Sequence, residues 1–417
     1  MSNALIFFLF IFFYLYFMSN SLSVKNNFVT NFNVGPAQLY DGVAEFYSEI
    51  LQSGVGSISH RSKQFTDISK AALQCARLFF NIPDNYKIYY TYSATESMEL
   101  VVRGFIQNKS LHVVNGNFGN VWYKTALHNG RDAKKIENNT NTNNPAENVQ
   151  VKLTDALSAL QEQNPDIACI TGSETASGIG YSPEEISEFS EKIKEISEDT
   201  LLAVDITSGM GGVDYDISSA DIWLFSVQKS LGLPAGLGFL ILSPKAYERA
   251  KQIEEKRSVK KIDFGNHHSI PNLEKKMAEK FQTPTTPNVL AIAGFGYICK
   301  TWLEKFGNIK ELSAETDKKA NLYYSFFDSS KNTSNFIPAI DDANARTKTV
   351  IVLKLKNSDT LSEAETKEQI TAQTEKLKNA GFIVASGYGK LKTTQLRLAN
   401  FPAHTASDIE NILQYFS

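Results

Sequence analysis

Short apolar runs of strand length alternate along this chain with segments of helical period, and this alternation constrains the possible folds more than any other feature. A continuous apolar run is typical of a strand buried on both faces, as in parallel sheets covered by helices. The strand-length runs lie at residues 88–92, 111–114, 167–171, 201–205, 222–227 and 238–242. The pattern therefore predicts an α/β fold built on a mostly parallel sheet.

A second, smaller unit is predicted toward the C-terminus, where the pattern changes after Pro284 and Pro287. Long helical segments are followed there by a strand near 349–355, a Lys/Glu-rich helix and two closing strands, which indicates an α+β domain. The predicted segments are a hydrophobic N-terminal extension (1–30), a segment that joins the smaller domain (31–42), a large ligand-binding domain (43–294) and the small C-terminal domain (295–417).

The composition of the 417 residues favours a small-molecule ligand over a nucleic acid. The formal net charge is -3 and no long Lys/Arg run interleaves with aromatic residues, so the basic surface that a phosphate backbone requires is not expected.

The cysteines, Cys75, Cys169 and Cys299, are odd in number and far apart, which fits neither a disulfide framework nor a C-x-x-C metal site. We therefore expect a reducing, cytoplasmic compartment and no bound metal.

An uninterrupted apolar and aromatic run from Ala4 to Met18 stands apart from the rest of the chain. It is shorter than the roughly 20 residues that span a membrane, and it resembles the hydrophobic region of a signal peptide. However, no Lys or Arg precedes it and no clear small-x-small cleavage site follows it. Since residues 18–20 repeat the opening Met-Ser-Asn, we favour translation from Met18 over a secretory or anchoring role.

The region from Leu201 to Gly238 carries the densest chemical information. Two apolar strands there each end in polar residues, Asp205 on the first and Gln228-Lys229 just after the second. Carboxyl ends of parallel strands meet at the edge where open α/β sheets bind ligands. A lysine framed by apolar residues at this edge would be partly desolvated, which lowers the pKa of its amine and makes it the nucleophile that a Schiff base requires. Asp205 can supply a fixed carboxylate that keeps a pyridine nitrogen protonated.

Each of these two residues alone has an ordinary structural explanation. Lys and Arg number 42 in the chain and most lysines are solvated surface groups, while an aspartate after a strand often caps the next helix. The pair, at the ends of two strands in this order, indicates a cofactor site. The sequence contains no G-x-G-x-x-G between a strand and a helix, and no GK[ST], H-E-x-x-H or G-x-S-x-G motif.

A cofactor phosphate would bind at a helix N-terminus, where backbone N–H groups are unpaired. Ser93-Ala94-Thr95-Glu96 follows the strand at Tyr90 and opens a helix. Ala94 and Thr95 are therefore candidates for holding a phosphate. The same residues also fit an ordinary serine cap with a glutamate in the first turn, and both interpretations can hold together.

From Asn31 onward, most of the chain resembles the class V aminotransferases of fold type I, which use pyridoxal 5'-phosphate (PLP). The individual motifs are weak, but their order and spacing are specific. They are 31–37 (NFNVGPA), 59–63 (SHRSK), 173–175 (SET), the Asp205 strand, 228–229 (QK), 282–284 (QTP) and 397–402 (RLANFP). The resemblance implies a PLP-dependent transferase with a mostly parallel large domain and a smaller α+β C-terminal domain.

The resemblance also implies roles around the cofactor ring. Lys229 is the residue that forms the Schiff base, Asp205 is the partner of the ring nitrogen, and Thr175 is a hydroxyl donor to the phenolic oxygen. An aromatic side chain is expected to stack on the open ring face. Phe118 aligns best with that role, where other family members place Trp, and Trp122 one helical turn later is the alternative. Either aromatic residue is equally compatible with simple core packing.

Further contacts are implied at the cofactor phosphate. Gln228 is expected to contact it from the same chain, and Thr283, with Gln282, from a neighbouring subunit. The resemblance therefore implies a homodimer with shared active sites.

The substrate-binding residues that the resemblance implies are mainly cations. Arg397 resembles the arginine that binds the substrate α-carboxylate, while His60 and Arg61 resemble the pair that faces a substrate phosphate from the other subunit. A planar guanidinium matches both anions. Lys390 is expected to assist where many relatives carry His. The structural alternative is a surface salt bridge for Arg397 and an exposed loop for the His60-Arg61 pair.

The reaction that the resemblance implies is amino transfer from glutamate to 3-phosphohydroxypyruvate in serine biosynthesis. An alanine/serine–glyoxylate type of class V enzyme is the alternative, because it would keep the cofactor residues without needing His60 and Arg61 for a phosphate. A cysteine desulfurase is disfavoured, since it needs a mobile catalytic cysteine and none follows Cys299. A catalytically silent, PLP-binding or membrane-anchored scaffold has only the hydrophobic N-terminus in its favour.

Overall fold

The computed structural model describes residues 30–138, 149–259, 268–278, 280–329 and 334–417. The apolar run from Ala4 to Met18, and with it the question of the translation start, lies outside the described residues. Within these ranges, no helix is both long enough and apolar enough to cross a bilayer.

Strands and helices alternate through most of the described chain, as the sequence predicts. The strands are β1 (Thr30–Phe32), β2 (Lys87–Thr91), β3 (Lys109–Val114), β4 (Asp132–Glu137), β5 (Ile167–Thr171), β6 (Leu201–Asp205), β7 (Ile222–Ser226), β8 (Gly238–Leu242), β9 (Phe336–Pro338), β10 (Val350–Leu355), β11 (Phe382–Ser386) and β12 (Gln395–Ala399). The helices are α1 (Val43–Gln52), α2 (Lys63–Phe79), α3 (Ala94–Phe105), α4 (Asn117–His128), α5 (Leu153–Gln163), α6 (Pro183–Ile196), α7 (Pro244–Val259), α8 (Ile270–Leu273), α9 (Val289–Phe306), α10 (Ile309–Asp328), α11 (Glu363–Asn379) and α12 (Ala406–Leu413).

The larger sheet has seven strands in the order β2-β8-β7-β6-β5-β3-β4. All of its neighbouring strands are parallel except β8, which runs antiparallel to both β2 and β7. Every residue of β5, β6, β7 and β8 is buried, which explains their continuous apolar sequences. The predicted α/β fold with a mostly parallel sheet is confirmed.

Helix starts follow local signals in the sequence. Ser182 and Glu185 form a capping box at the start of α6, with Pro183 in its first turn. Ser93 caps α3 by accepting a hydrogen bond from Glu96 N (3.1 Å). Because α3 follows β2 directly, its N-terminus is held at one edge of the sheet.

The smaller sheet has five strands in the order β1-β11-β12-β10-β9. The N-terminal strand β1 pairs in parallel with β11, while the other pairs are antiparallel. This sheet has its own hydrophobic core, which includes Phe32, Tyr323, Ile351, Leu398 and Ile409. The pairing of β1 supports the proposed association of segment 31–42 with the smaller unit.

The boundary predicted at residues 294 and 295 falls inside α9. Buried residues of this helix as far as Trp302 belong to the core of the larger sheet, because α9 packs along α2. We therefore propose that the smaller unit begins after α9 rather than within it.

The register of the larger sheet brings the chemically important strand ends together. Thr171 at the end of β5 pairs with Asp205 at the end of β6, and Asp205 in turn pairs with Leu224 of β7. Since these strands are parallel, the turns that follow them lie at the same edge. That edge carries Thr175, Asp205 and Lys229.

Candidate active site

Lys229 lies in the turn between β7 and β8 and is 7% exposed. Its Nζ donates a hydrogen bond to Thr175 Oγ1 at 2.6 Å. The N-terminal segment runs along this turn, with Ala37 N donating to Gln228 O (2.9 Å). A Cβ on Gly35 would lie 3.2 Å from Lys229 Cγ, so a glycine there lets the segment lie close against the lysine side chain.

Burial is the main influence on the Lys229 amine. It lowers the pKa of Lys229 from its ordinary 10.5 to about 8, and the positive charge of Arg397 acts in the same direction. The carboxylates of Asp205 and Glu174 oppose this effect. The amine can therefore gain and lose a proton near neutral pH, as the sequence-based interpretation expects of a partly desolvated lysine.

Asp205 is a buried carboxylate with one oxygen committed to the protein. Its Oδ1 accepts hydrogen bonds from the backbone N (2.9 Å) and the hydroxyl of Thr207. Burial raises the pKa of Asp205, while the Thr207 hydroxyl bond and the charge of Lys229 lower it. No residue in the described part of the chain donates to Oδ2, which leaves this oxygen as an acceptor for a ligand.

Phe118 and Trp122, the two aromatic candidates on α4, have different surroundings. The Phe118 ring centroid is 4.5 Å from Lys229 Nζ, and the ring is half-buried. Trp122 is 1% exposed and packs edge-on against His112 at 6.2 Å between ring centroids. The structure therefore brings Phe118 to the lysine and places Trp122 in the core.

Glu174 is a fully buried carboxylate that sequence reasoning missed. Its Oε2 accepts from the backbone N of Phe118 (3.0 Å) and Gly119 (3.1 Å), and its Oε1 accepts from Ala176 N (3.0 Å). Glu174 belongs to the 173–175 motif of the family resemblance, in which only Thr175 was given a role. It is also the one charged residue in the stretch 167–180, which otherwise consists of apolar and small residues.

The predicted phosphate end of the site lies at the start of α3. Ala94 N donates to Ser226 Oγ (2.5 Å), so this N–H is already paired in the structure. Thr95 is exposed in the first turn of α3. The Gln228 side chain is half-buried and pairs with no residue of the described ranges.

Arg397 on β12 reaches from the smaller sheet to the lysine edge of the larger one. Its Nη1 donates to Thr175 O (3.0 Å) and its Nε to Ser386 O (2.8 Å). Its Nη2 meets no acceptor among the described residues, so one nitrogen remains for a carboxylate. Burial lowers the pKa of Arg397 to about 10, while Tyr388 and Glu174 raise it.

Tyr388 is a second residue that sequence reasoning missed. Its ring centroid lies 5.5 Å from that of Phe118 and 5.4 Å from Arg397 Cζ. Lys390, the residue predicted to assist Arg397, is exposed, and no hydrogen bond or ion pair joins it to the described residues. For Tyr388, the signal available in the sequence was an aromatic residue between Gly387 and Gly389, a pattern that places a side chain on a tight turn.

Arg61 and the 282–284 segment form a separate cluster in the same chain. Arg61 Nη1 donates to Thr283 O (2.7 Å) and Gln282 Oε1 (3.3 Å), and Nη2 donates to Pro284 O (3.1 Å). His60 lies beside Arg61, and its pKa is lowered by burial and by that charge. No hydrogen bond within the described ranges joins these residues to Lys229.

The residues around Lys229 fit PLP. The cofactor requires an amine, a carboxylate oxygen for its ring nitrogen, an aromatic face and N–H donors for its phosphate. Lys229 Nζ, Asp205 Oδ2, the Phe118 ring and the N-terminus of α3 supply these four features.

Comparison with known proteins identifies similar chains. Residues 31–385 match the family model described as Aminotransferase class-V. A phosphoserine aminotransferase of Rhodococcus opacus (strain B4) is 23% identical over 382 residues, which cover 91% of this chain and 92% of that protein. One from Lactococcus lactis subsp. lactis (strain IL1403) is 27% identical over 324 residues, covering 75% of this chain and 81% of that protein.

Solved structures show the same relationship. A phosphoserine aminotransferase from Cytophaga hutchinsonii is 31% identical, with a TM-score of 0.79 over 94% of this chain and 98% of that one. An alanine–glyoxylate aminotransferase from Nostoc sp. has a TM-score of 0.75 over 95% of this chain and 96% of that one. At 17% identity, the second likeness bears on the fold alone.

Proposed function

The chain belongs to the class-V aminotransferase family, and we propose that it transfers an amino group from glutamate to 3-phosphohydroxypyruvate to make phosphoserine. It is a PLP-dependent transaminase. The single observation that carries the proposal is the convergence on Lys229 Nζ of the Thr175 hydroxyl at 2.6 Å and the Phe118 ring at 4.5 Å. The phosphoserine specificity rests on the relatives, which are named for that reaction.

We assign the polar cofactor contacts to groups that have no hydrogen-bond partner among the described residues. Asp205 Oδ2 would hold a proton on the ring nitrogen, and the Phe118 ring would cover one ring face. Thr95 N, with the Gln228 side chain, would bind the phosphate, since Ala94 N is paired with Ser226. When bound, PLP supplies the electron sink that stabilises negative charge at the substrate α-carbon.

Lys229 would carry the proton of the transfer. An amine with a pKa of about 8 can take a proton from one carbon atom and return it to another at physiological pH. Thr175 Oγ1 accepts from this amine at 2.6 Å and holds it in one orientation. Arg397 would bind the substrate α-carboxylate through Nη2, because Nη1 already donates to Thr175 O and Nε to Ser386 O.

We also propose that two copies of the chain share their active sites. Arg61 is exposed and donates to Gln282 Oε1 and Thr283 O, so the residues assigned to a neighbour's phosphate groups form one cluster, in which Thr283 itself is buried. A homodimer would place this cluster at the partner's site. We further propose a cytoplasmic location, which suits the free thiols of Cys75, Cys169 and Cys299.

A half-reaction assay tests the proposal. The PLP-loaded protein is mixed with phosphoserine, serine or alanine, and the decay of its visible absorbance band is followed in a single turnover. We expect phosphoserine to react at least tenfold faster than the other two, because only it presents a second anion. Faster reaction with alanine or serine, followed by amino transfer to glyoxylate, would support the glyoxylate-type alternative instead.

A further inference from the structure

A single buried carboxylate, that of Glu174, joins two turns that carry functional groups. One is the first turn of α4, where Phe118 N and Gly119 N donate to Oε2 at 3.0 and 3.1 Å. The other is the turn after β5, where Ala176 N donates to Oε1 at 3.0 Å. These bonds hold together two segments that are 55 residues apart in sequence.

Gly116 makes room for this carboxylate. A Cβ on Gly116 would lie 2.6 Å from Glu174 Cγ and 2.9 Å from its Cδ, closer than real Cβ contacts allow. The φ of Gly116 is 170°, an extended conformation that any residue adopts. The need for glycine at this position therefore comes from the carboxylate and not from the backbone.

Three functional groups depend on the turns that Glu174 joins. The first turn of α4 carries the Phe118 ring, which lies 4.5 Å from Lys229 Nζ. The turn after β5 carries the Thr175 hydroxyl, which accepts from the same amine, and the Thr175 carbonyl, which accepts from Arg397 at 3.0 Å. A displaced Glu174 would release both turns at once.

Glu174 also contributes charge. Burial raises the pKa of its carboxyl group, while the hydrogen bonds from Ala176 N and Gly119 N and the charge of Lys229 lower it. The charged groups that act on Lys229 are Asp205 and Glu174, which raise its pKa, and Arg397, which lowers it. Glu174 is thus the second carboxylate, after Asp205, that opposes the effect of burial on the lysine.

We propose that Glu174 is a positioning residue that sets the Phe118 ring and the Thr175 hydroxyl against the Lys229 amine and holds a negative charge beside it. The proposal deepens the function of the site and rests on the proposed transaminase reaction.

Two variants separate position from charge. Glu174→Gln removes the charge and replaces one acceptor oxygen with an amide group that cannot accept from the backbone N–H groups. Gly116→Ala keeps the charge and forces the side chain to move. Asp221→Asn is the matched control, because Asp221 is also buried and accepts from Leu202 N (3.1 Å) and Ser243 Oγ (2.9 Å). Asp221 immediately precedes β7, so it lies at the end of that strand opposite to Lys229.

The first readout uses the protein without PLP. The pH dependence of Lys229 labelling by an amine-reactive reagent is followed by mass spectrometry of its peptide. In Glu174→Gln the midpoint should move to lower pH, since a negative charge near the amine is lost. In Gly116→Ala it should move less, and in Asp221→Asn it should match the unaltered protein. A Glu174→Gln midpoint equal to that of Asp221→Asn would overturn the proposed charge effect.

The second readout is transamination by the PLP-loaded protein. Glu174→Gln and Gly116→Ala should each lower kcat about 10- to 100-fold, because small misplacements of reacting groups are costly. Equal kcat values in Gly116→Ala and Asp221→Asn would contradict the positioning role, and this comparison decides the matter even if Glu174→Gln fails to fold. If the unaltered protein transaminates no substrate, the proposed function fails, while the labelling experiment still tests Glu174.

Discussion

The amine of Lys229 lies between the Thr175 hydroxyl, 2.6 Å away, and the face of the Phe118 ring, whose centroid is 4.5 Å away. These two contacts come from different strand-to-helix turns of the larger sheet. Because the amine is buried and fixed from two sides, its position depends on the sheet edge as a whole. This arrangement explains how a single lysine could both bind a cofactor and move a proton at the same place.

Replacing Lys229 with Ala should abolish transamination and leave the fold intact. The remaining contacts at the start of α3 can still hold PLP without a covalent bond, so binding should weaken but persist. Absorbance spectroscopy and a coupled glutamate assay measure both effects. Lys319→Met is the matched control, since Lys319 is also buried with a pKa lowered to about 8, but its Nζ donates to Phe401 O and His404 O in the smaller unit. Normal turnover by Lys229→Ala would contradict the assignment.

The stability of the PLP-free protein should increase with pH relative to a Lys229→Met variant. The unfolded lysine has a pKa near 10.5 and the folded one about 8, so between these values the unfolded chain binds the extra proton. Across the whole interval, the free energy of unfolding should rise by about 3 kcal/mol at most relative to the variant. Below the folded pKa it should no longer change with pH relative to the variant. Urea unfolding of both proteins from pH 7 to pH 10 measures the difference. Parallel curves would show that Lys229 keeps its ordinary pKa.

The placement of Asp205 and Lys229 at one edge of the larger sheet could be predicted from sequence, because Asp205 ends β6, Lys229 follows the adjacent parallel strand β7, and such strand ends share an edge. Sequence alone could not decide whether Phe118 or Trp122 lies beside the lysine. The two residues are one turn apart on α4, and only the packed structure shows that Trp122 shares a buried face with Gly119 and Ala126. The helical period alone did not show that Phe118 lies outside the buried face and Trp122 within it.

The contacts of Glu174 and Tyr388 were also beyond sequence reasoning. Glu174 acts through backbone N–H groups of α4, and its placement depends on how two turns pack together. Tyr388 reaches Phe118 across the two units of the chain. Arg61 likewise bonds to Thr283, 222 residues away in sequence. Contacts of this kind come from tertiary packing and have no local signature.

Tyr388→Ala should raise KM for both amino-acid substrates. The Tyr388 ring lies 5.4 Å from Arg397 Cζ and packs near Phe118, so it braces the guanidinium that would bind the α-carboxylate. An aromatic contact to a cation is worth about 0.5 to 2 kcal/mol, or roughly 2- to 30-fold in KM. Tyr388→Phe keeps the ring and should behave like the unaltered protein. Steady-state kinetics with glutamate and phosphoserine test this, and an unchanged KM in the alanine variant would remove Tyr388 from the site.

Mixing an inactive variant with a variant impaired toward phosphoserine should restore part of the phosphoserine activity if the sites are shared between subunits. One variant carries Lys229→Ala and the other Arg61→Ala, so a hybrid dimer would contain one site with neither change. Activity is measured after subunit exchange in mild denaturant, with each variant mixed with itself as the control. No recovery in a mixture shown to contain hybrid dimers would mean that each site is built within one chain.

Arg61 and Arg397 should differ in the substrates that they affect. If Arg61 meets the substrate phosphate, Arg61→Ala should lower kcat/KM for phosphoserine about 10- to 150-fold, the value of a charge-assisted contact that acts in the transition state. Glutamate should be affected far less, because its side-chain carboxylate is smaller and carries less charge. Arg397→Ala should damage both half-reactions, since every amino-acid substrate presents an α-carboxylate.

Arg61→Lys serves as the control for the same experiment. It keeps the positive charge but loses the planar fork that now bonds to Gln282, Thr283 and Pro284, so its loss with phosphoserine should be intermediate. Separate half-reaction rates with phosphoserine and glutamate give the comparison for each variant. Equal losses for the two substrates in Arg61→Ala would mean that the phosphate is bound elsewhere. The glyoxylate-type reaction would then become the better proposal, because it needs no residue for a phosphate at this position.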